Sequence, residues 1–204
     1  MTDGLSTARL SLAEVKDGIA LLEVIVEEYQ SLLGHIDISE TGDVNNQKQI
    51  RERVRATFSI MEGMVFAIKV WSLTAGTGIW SSGEVALLNE MSMTLDDRGH
   101  PKRQRMKISF GRNVRWAFLA ASRASGAAWS ANYGDDGWRQ FKNSIKIRDR
   151  LTHPKRMSDL TITLDDIVVF TEGSAWFAVT AQQAVHVLVN KLIEMIRKGR
   201  FNEN

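Results

Sequence analysis

The sequence predicts a mostly α-helical protein, an up-and-down helical bundle with a β-hairpin inserted at about residues 91–110. Three observations support this fold class. Apolar residues recur at steps of three and four through most of the chain, and only two prolines, Pro101 and Pro154, interrupt it. One short stretch alternates apolar and polar residues instead, which is the pattern of a strand. We therefore expect helices packed around one apolar core.

Length and composition favour a single soluble domain. With 204 residues, 44% of them hydrophobic and 25% charged, the chain can bury one sizeable core. We expect this domain to span residues 10–198, with flexible ends at 1–9 and 199–204. The first nine residues lack the features of a signal peptide, and no eighteen consecutive residues are apolar. The sequence therefore predicts a cytoplasmic protein that does not enter a membrane.

The first half of the chain predicts three helices. Leu10 to Leu33 has apolar residues at helical spacing and ends at Gly34. A longer helix runs from Val44 to about Leu73, where a Gly-containing stretch breaks it. Ser82 then stands where it can cap a short helix that continues to about Glu90.

The predicted hairpin follows directly. Met91, Met93 and Leu95 alternate with polar residues, and Asp-Asp-Arg-Gly-His-Pro makes a turn. A second alternating run ends the segment, with its apolar residues at Met106, Ile108 and Phe110. These two runs predict the two strands of the hairpin.

Helical spacing resumes for the rest of the chain. One helix is predicted from Asn113 to Ser125, and another from Gly137 to about Thr152 with Asp135 or Asp136 as its cap. Thr163 can cap a short helix to Phe170, and a long last helix is expected from Ala175 to Lys198.

The helix ending near Thr152 carries an arginine among apolar residues. Its stripe at steps of three and four consists of Trp138, Phe141, Ile145, Arg148 and Thr152. A guanidinium in such a position needs a paired acid, hydrogen bonds or an anionic ligand. Pro154 disfavours helical geometry at the preceding residue, so the helix should unwind near His153 and release its ring from the helix surface.

The chain carries an arginine, a polar residue and a histidine near the start of its last third, namely Arg148, Asp149 and His153. In a helical domain, this pattern resembles the motif of the HEPN superfamily (higher eukaryotes and prokaryotes nucleotide-binding). The flanking stretch from Phe141 to Lys155 is similar to uncharacterised bacterial members. The resemblance covers the helices from about Leu10 to Lys198, and the hairpin is an addition to the family's helical bundle.

The resemblance implies a metal-independent endoribonuclease of toxin or defence type, with no cofactor. Members act as homodimers in which two motifs face one cleft, and an RNA 2′-hydroxyl attacks the neighbouring phosphorus. His153 would be the general acid and base, Arg148 would bind the scissile phosphate, and Asp149 would orient one of them. A ridge of cations beside the motif would bind substrate, namely Lys146, Arg150 and Lys155. RNA and a protein antitoxin are the expected partners.

Two alternatives use the same residues. The chain can instead be a non-catalytic HEPN-like helical module that binds RNA, a nucleotide or a protein partner. Arg148 can also serve the fold alone, by pairing with Glu62 or another acid while His153 only ends a helix. Glu62 lies one position off the apolar stripe of its own helix, where it would form an ion pair or, near His153, raise the pKa of that imidazole.

The remaining features predict less specific chemistry. Seven Lys or Arg and no acid occur from Arg98 to Arg115, which fits either a surface that follows a phosphate backbone or a charged edge strand. The net charge of +2 does not decide between these. The chain has no cysteine, its histidines fit no metal-ligand spacing, and no Gly-rich phosphate loop is present, so we expect neither a metal nor a cofactor.

Overall fold

The computed structural model describes residues 44–198, together with Ala20, Val24, Glu27 and Ser31, which are in helical conformation. Apart from these four residues, the predicted helix from Leu10 to Leu33 lies outside the described residues. The ends at 1–9 and 199–204 also lie outside them.

The prediction of a mostly helical fold with an inserted hairpin is confirmed. Over the described range, five α-helices and one two-stranded antiparallel sheet follow each other, with a single 3-10 turn at Met157–Leu160. The elements in order are α1 (Val44–Ala75), α2 (Ser82–Leu88), β1 (Met91–Leu95), β2 (Pro101–Arg105), α3 (Phe110–Ser125), α4 (Asp136–Thr152) and α5 (Leu164–Arg197).

The described chain divides into two compact units, and α1 and α5 contribute to both. The hairpin unit contains Val65–Ser130 and residues 183–198. The motif unit contains residues 44–64 and Ala131–Gln182. The single domain expected over residues 10–198 stays a prediction. By length and composition alone, Asn46–Ala75 of α1 would suit a membrane-spanning helix, and half of its most apolar window is buried. The core helix of a soluble protein meets the same criterion.

Aromatic rings form much of the core of the motif unit. The Trp138 ring centroid lies 5.0 Å from those of Tyr133 and Trp176, and Phe141 stacks on Phe177 at 5.5 Å. Edge-to-face and offset arrangements of this kind stabilise a core beyond the apolar area they bury. They fix α4 against α5, and therefore fix the position of the residues at the end of α4.

The second strand of the hairpin lies earlier in the chain than the sequence predicted, so that prediction was wrong. Leu95 pairs with Pro101, because the Asp96 N–H donates to the His100 carbonyl at 2.9 Å and closes a short turn. β2 therefore ends at Arg105. The alternation from Met106 to Phe110 exists in the burial pattern, but these residues form the connection to α3 and its first residue.

A buried ion pair holds the start of the hairpin in place. The side chain of Lys69 in α1 is fully buried and donates to the Glu90 carboxylate and, at 2.9 Å, to the Asn113 side-chain oxygen of α3. Asn113 also donates to Glu90 at 3.0 Å. Burial lowers the pKa of Lys69, while the hydrogen bond and charge of Glu90 act against that shift. Because Glu90 directly precedes β1, the hairpin is anchored to both helices.

Two helix boundaries also correct the prediction. Ser81, and not Ser82, caps α2, since the Glu84 N–H donates to the Ser81 hydroxyl at 3.3 Å, and this helix ends at Leu88. The two helices expected after Thr163 are one helix, α5, which runs through the presumed break at residues 171–174. Gly173 allows the helix to continue there in close contact with α4. Thr163 caps α5 as predicted, accepting from the Asp166 N–H at 3.1 Å.

The cap of α2 makes the hairpin unit sensitive to acid. Hydrogen bonds from Arg123 and Ser81 lower the pKa of Glu84 to about 2 from an ordinary value of 4.5. A carboxylate with a depressed pKa stabilises the fold fully above its unfolded pKa, and that stability is lost as pH falls toward the folded pKa. We expect the free energy of unfolding, measured by urea denaturation, to fall more steeply between about pH 5 and pH 2 in the wild type than in Glu84→Gln. Equal acid sensitivity of the two proteins would contradict this assignment.

Candidate functional site

The candidate site lies at the C-terminal end of α4. Asp135 caps the start of this helix, as predicted, by accepting the Trp138 N–H at 2.9 Å. The helix ends at Thr152, and His153 has φ −126° and ψ 59°, outside helical geometry, while its N–H still donates to the Asp149 carbonyl at 3.0 Å. The prediction that Pro154 ends the helix at His153 is confirmed.

Arg148 is held by two acids and one aromatic ring. One terminal nitrogen donates to the Glu62 carboxylate of α1, and the other donates to Asp149 Oδ1 at 2.9 Å. The guanidinium carbon lies 5.7 Å from the centroid of the Phe58 ring. Of the two roles considered for Glu62, the structure contains the ion pair with Arg148. The Arg148 side chain is 25% exposed, whereas Glu62 and Asp149 are 47% and 55% exposed, so the acids face solvent more than the guanidinium does.

Arg148 lies at the flank of the buried face of α4 rather than at its centre. The buried residues of this helix are Trp138, Phe141, Ser144, Ile147 and Leu151. In the last turns of α4 the buried residues therefore each precede a predicted one by one position, so this part of the predicted stripe was wrong. Thr152, its last predicted member, is exposed. The reason is Ser144, a polar residue that is buried because its hydroxyl donates to the Phe141 carbonyl of its own helix at 2.8 Å.

His153 presents its side chain to solvent. The residue is exposed, and its imidazole makes no hydrogen bond or ion pair with any described residue. Its neighbours Pro154 and Lys155 are also exposed.

The cations expected to bind substrate differ in what they contact. Lys146 is exposed and donates to the Asn143 side-chain oxygen at 3.0 Å, and Lys155 is exposed. Arg150 is instead paired with Asp166 at the start of α5, at 2.9 Å. Burial alone would raise the pKa of Asp166, but hydrogen bonds from Thr163 and Arg150 together lower it. Lys146 and Lys155 therefore fit a solvent-facing role better than Arg150 does.

One face of α1 supports the site, and sequence reasoning found only part of it. Arg55 donates to the Leu151 carbonyl in the last turn of α4 at 2.7 Å, and Arg51 donates to the Leu160 carbonyl at 3.0 Å. These contacts satisfy carbonyls that the end of a helix and its following loop leave unpaired. The signal was available, because Arg51, Arg55, Phe58 and Glu62 follow each other at steps of four, three and four.

Among the described side chains, no three His, Asp or Glu residues are grouped so that they could hold a metal ion.

Comparison with known proteins adds no relative for this site. No family model, curated protein or solved structure matches the chain. The resemblance to the HEPN superfamily rests on Arg148, Asp149 and His153 and on their helical setting.

Proposed function

We propose that the chain is a metal-independent endoribonuclease that acts as a homodimer, with Arg148 and His153 as its catalytic residues. One observation carries this proposal: an oriented guanidinium and an exposed imidazole occur together at the end of one helix. Glu62 and Asp149 orient Arg148, while His153 follows the last residue of α4 and has its ring in solvent.

The reaction needs only groups that this site supplies. The RNA 2′-oxygen forms a bond to the neighbouring phosphorus, the bond from phosphorus to the 5′-oxygen breaks, and a 2′,3′-cyclic phosphate and a 5′-hydroxyl result. One proton leaves the 2′-hydroxyl and one is delivered to the 5′-oxygen. In a homodimer, two copies of His153 would serve as base and acid, and Arg148 would stabilise the charge on the phosphate oxygens.

The two acids do not prevent Arg148 from binding phosphate. Both are about half exposed, and ion pairs in such positions contribute only about 0–1 kcal/mol. A phosphate can therefore replace one carboxylate at small cost, while the other keeps the guanidinium oriented. The contact with Asp149 supports a role for this residue in orienting Arg148 rather than His153.

A second candidate function is a non-catalytic module that binds RNA, a nucleotide or a protein partner. The observation that favours it is the charge of the group, since two carboxylates on one guanidinium give a net negative cluster. Such a cluster weakens the attraction for an anion relative to an unpaired arginine.

The test is cleavage of RNA by the purified protein in EDTA. We expect cleavage without added metal and products whose new 5′ ends are hydroxyls that a polynucleotide kinase can label directly. Light scattering should report a dimer under the same conditions. Binding of RNA without any cleavage would favour the second candidate, and failure of the wild type to cleave a pool of random-sequence RNA would refute the nuclease.

A further inference from the structure

The segment from Arg98 to Arg115 concentrates positive charge on the hairpin unit. It contains seven Lys or Arg and no acid, although the whole chain has a net charge of only +2, so the remainder of the chain is net negative. Five of these cations are exposed and form no ion pair with any residue between 44 and 198, namely Arg98, Lys102, Arg103, Lys107 and Arg112. Unpaired cations at this density repel each other, and a polyanion would relieve that repulsion.

The register of the hairpin puts apolar and cationic side chains on one face. Arg103 lies opposite Met93, and Pro101 lies opposite Leu95. Partners across an antiparallel pair share a face, so Met93 and Leu95 stand beside Arg103. Met93 and Leu95 are 62% and 67% exposed, which is unusual for such large apolar side chains in adjacent same-face positions.

A groove of about 690 Å³ runs between α2 and the hairpin. Its apolar walls are formed by Val85, Ala86, Met91 and Met93, and Ser92 and Arg103 add polar groups at its edge. This volume is within the range of small-molecule sites, about 300–1,000 Å³. The groove thus combines apolar walls, against which a flat ring could pack, with the cation Arg103 at its edge.

The groove and the hairpin form a fixed surface. Lys69 and Asn113 hold Glu90 immediately before β1, so the strand that supplies Met91 and Met93 is tied to α1 and α3. A prearranged surface binds with less loss of conformational entropy than a loose one.

We propose that this hairpin surface, made of β1, β2 and the groove beside α2, binds single-stranded RNA. Arg103 contacts a phosphate beside the groove, and an unstacked base enters the groove against Val85 and Met93. Lys102, opposite Thr94 on the other face of β2, and Lys107 attract the flanking phosphates around the exposed edge of the hairpin. The choice of RNA over DNA rests on the proposed function of the motif unit. The hairpin surface itself is a separate binding site that takes no part in the cleavage chemistry.

Charge and shape together favour a single strand over other polyanions. Double-stranded nucleic acid keeps its bases stacked, so it would leave the groove and the exposed Met93 unused. An anionic membrane or a poly-glutamate chain would use the cations, but neither supplies flat rings for the groove. These ligands are therefore the competing outcomes of the test.

The test measures binding of a fluorescent 2′-O-methyl RNA oligonucleotide by anisotropy. This probe lacks the nucleophile, so binding is read even if the protein cleaves no RNA. The variant Lys102→Gln/Arg103→Gln/Lys107→Gln changes only exposed residues. The control Lys48→Gln/Arg139→Gln/Lys198→Gln removes the same charge from exposed residues elsewhere.

We expect the hairpin variant to bind the RNA probe at least about tenfold more weakly. The slope of the logarithm of the binding constant against the logarithm of the salt concentration should become shallower by about two, because each phosphate contact on a single strand contributes about 0.7. The control should stay close to wild type, and Met93→Ser should reduce the preference for single strand over duplex. Equal loss in both triple variants would overturn the proposal. Tighter binding of DNA, of phosphatidylserine vesicles or of poly-glutamate than of the RNA probe would also overturn it.

Discussion

Replacing His153 by alanine is expected to lower the rate of RNA cleavage by a factor of about 10²–10⁴, the usual contribution of a general acid or base. The residue is exposed and lies outside the helix, so its loss should change the free energy of unfolding by less than about 0.5 kcal/mol. Single-turnover cleavage in EDTA and thermal melting of the same preparations measure the two effects.

Arg148→Ala is expected to abolish cleavage as well, for a different reason. It removes the group that binds the phosphate, and a lysine at this position should restore little activity because it lacks the planar fork of donors. The cost in stability should be about 1 kcal/mol, since the two acids it leaves behind are half exposed and not buried. Arg139→Ala, which changes an exposed arginine of the same helix, is the matched control and should leave the rate unchanged.

A purely structural motif predicts the opposite pattern. In that case Arg148→Ala would lower the melting temperature strongly, because the guanidinium joins α1 to α4, and His153→Ala would have no effect on any activity. Cleavage that persists in both variants would mean that it comes from another residue or from a contaminating nuclease. The comparison of rate and stability in the same two variants therefore separates catalysis from folding.

Much of the local structure followed from the sequence, because helices are specified by neighbouring residues. The apolar spacing of α1 and the residues Asp135 and Pro154 predicted where two helices begin or end. The strand pairing was not predicted, because the register depends on the turn at Asp96. Alternation beyond Arg105 has the same appearance in the sequence whether or not a partner strand is present.

The candidate site was predicted in part for similar reasons. Charge and helical position indicated Glu62 as a partner of Arg148, although 86 residues separate them. The support from Arg51 and Arg55 was missed, because their spacing shows that they share a helix face with Glu62 but not that they donate to backbone carbonyls. Ser144 was not included in the predicted stripe, since a hydroxyl satisfied within its own helix cannot be distinguished from a solvated one by residue type.

The close approach of α4 to α5 predicts a second large effect, a loss of stability when a glycine at their contact is replaced by alanine. A Cβ added at Gly173 would lie 2.7 Å from the Cα of Phe141 and 2.8 Å from its backbone nitrogen. Backbone atoms cannot rotate away, so α4 itself would have to move. We expect Gly173→Ala to lower the free energy of unfolding by about 3 kcal/mol, at the upper end of the usual cost of overpacking.

Gly63→Ala in α1 is the control for this prediction, because helix propensity acts in the opposite direction. Gly63 is also inside a helix, but an added Cβ there meets no atom within 4 Å. Alanine is favoured over glycine in a helix by about 1 kcal/mol, so Gly63→Ala should stabilise the protein. Urea denaturation gives the change in the free energy of unfolding for each Gly→Ala substitution, and the difference between the two changes is the packing cost at Gly173. Equal stability of the two variants would mean that α4 and α5 are not in contact at Phe141, and the aromatic packing that positions Arg148 would then need another explanation.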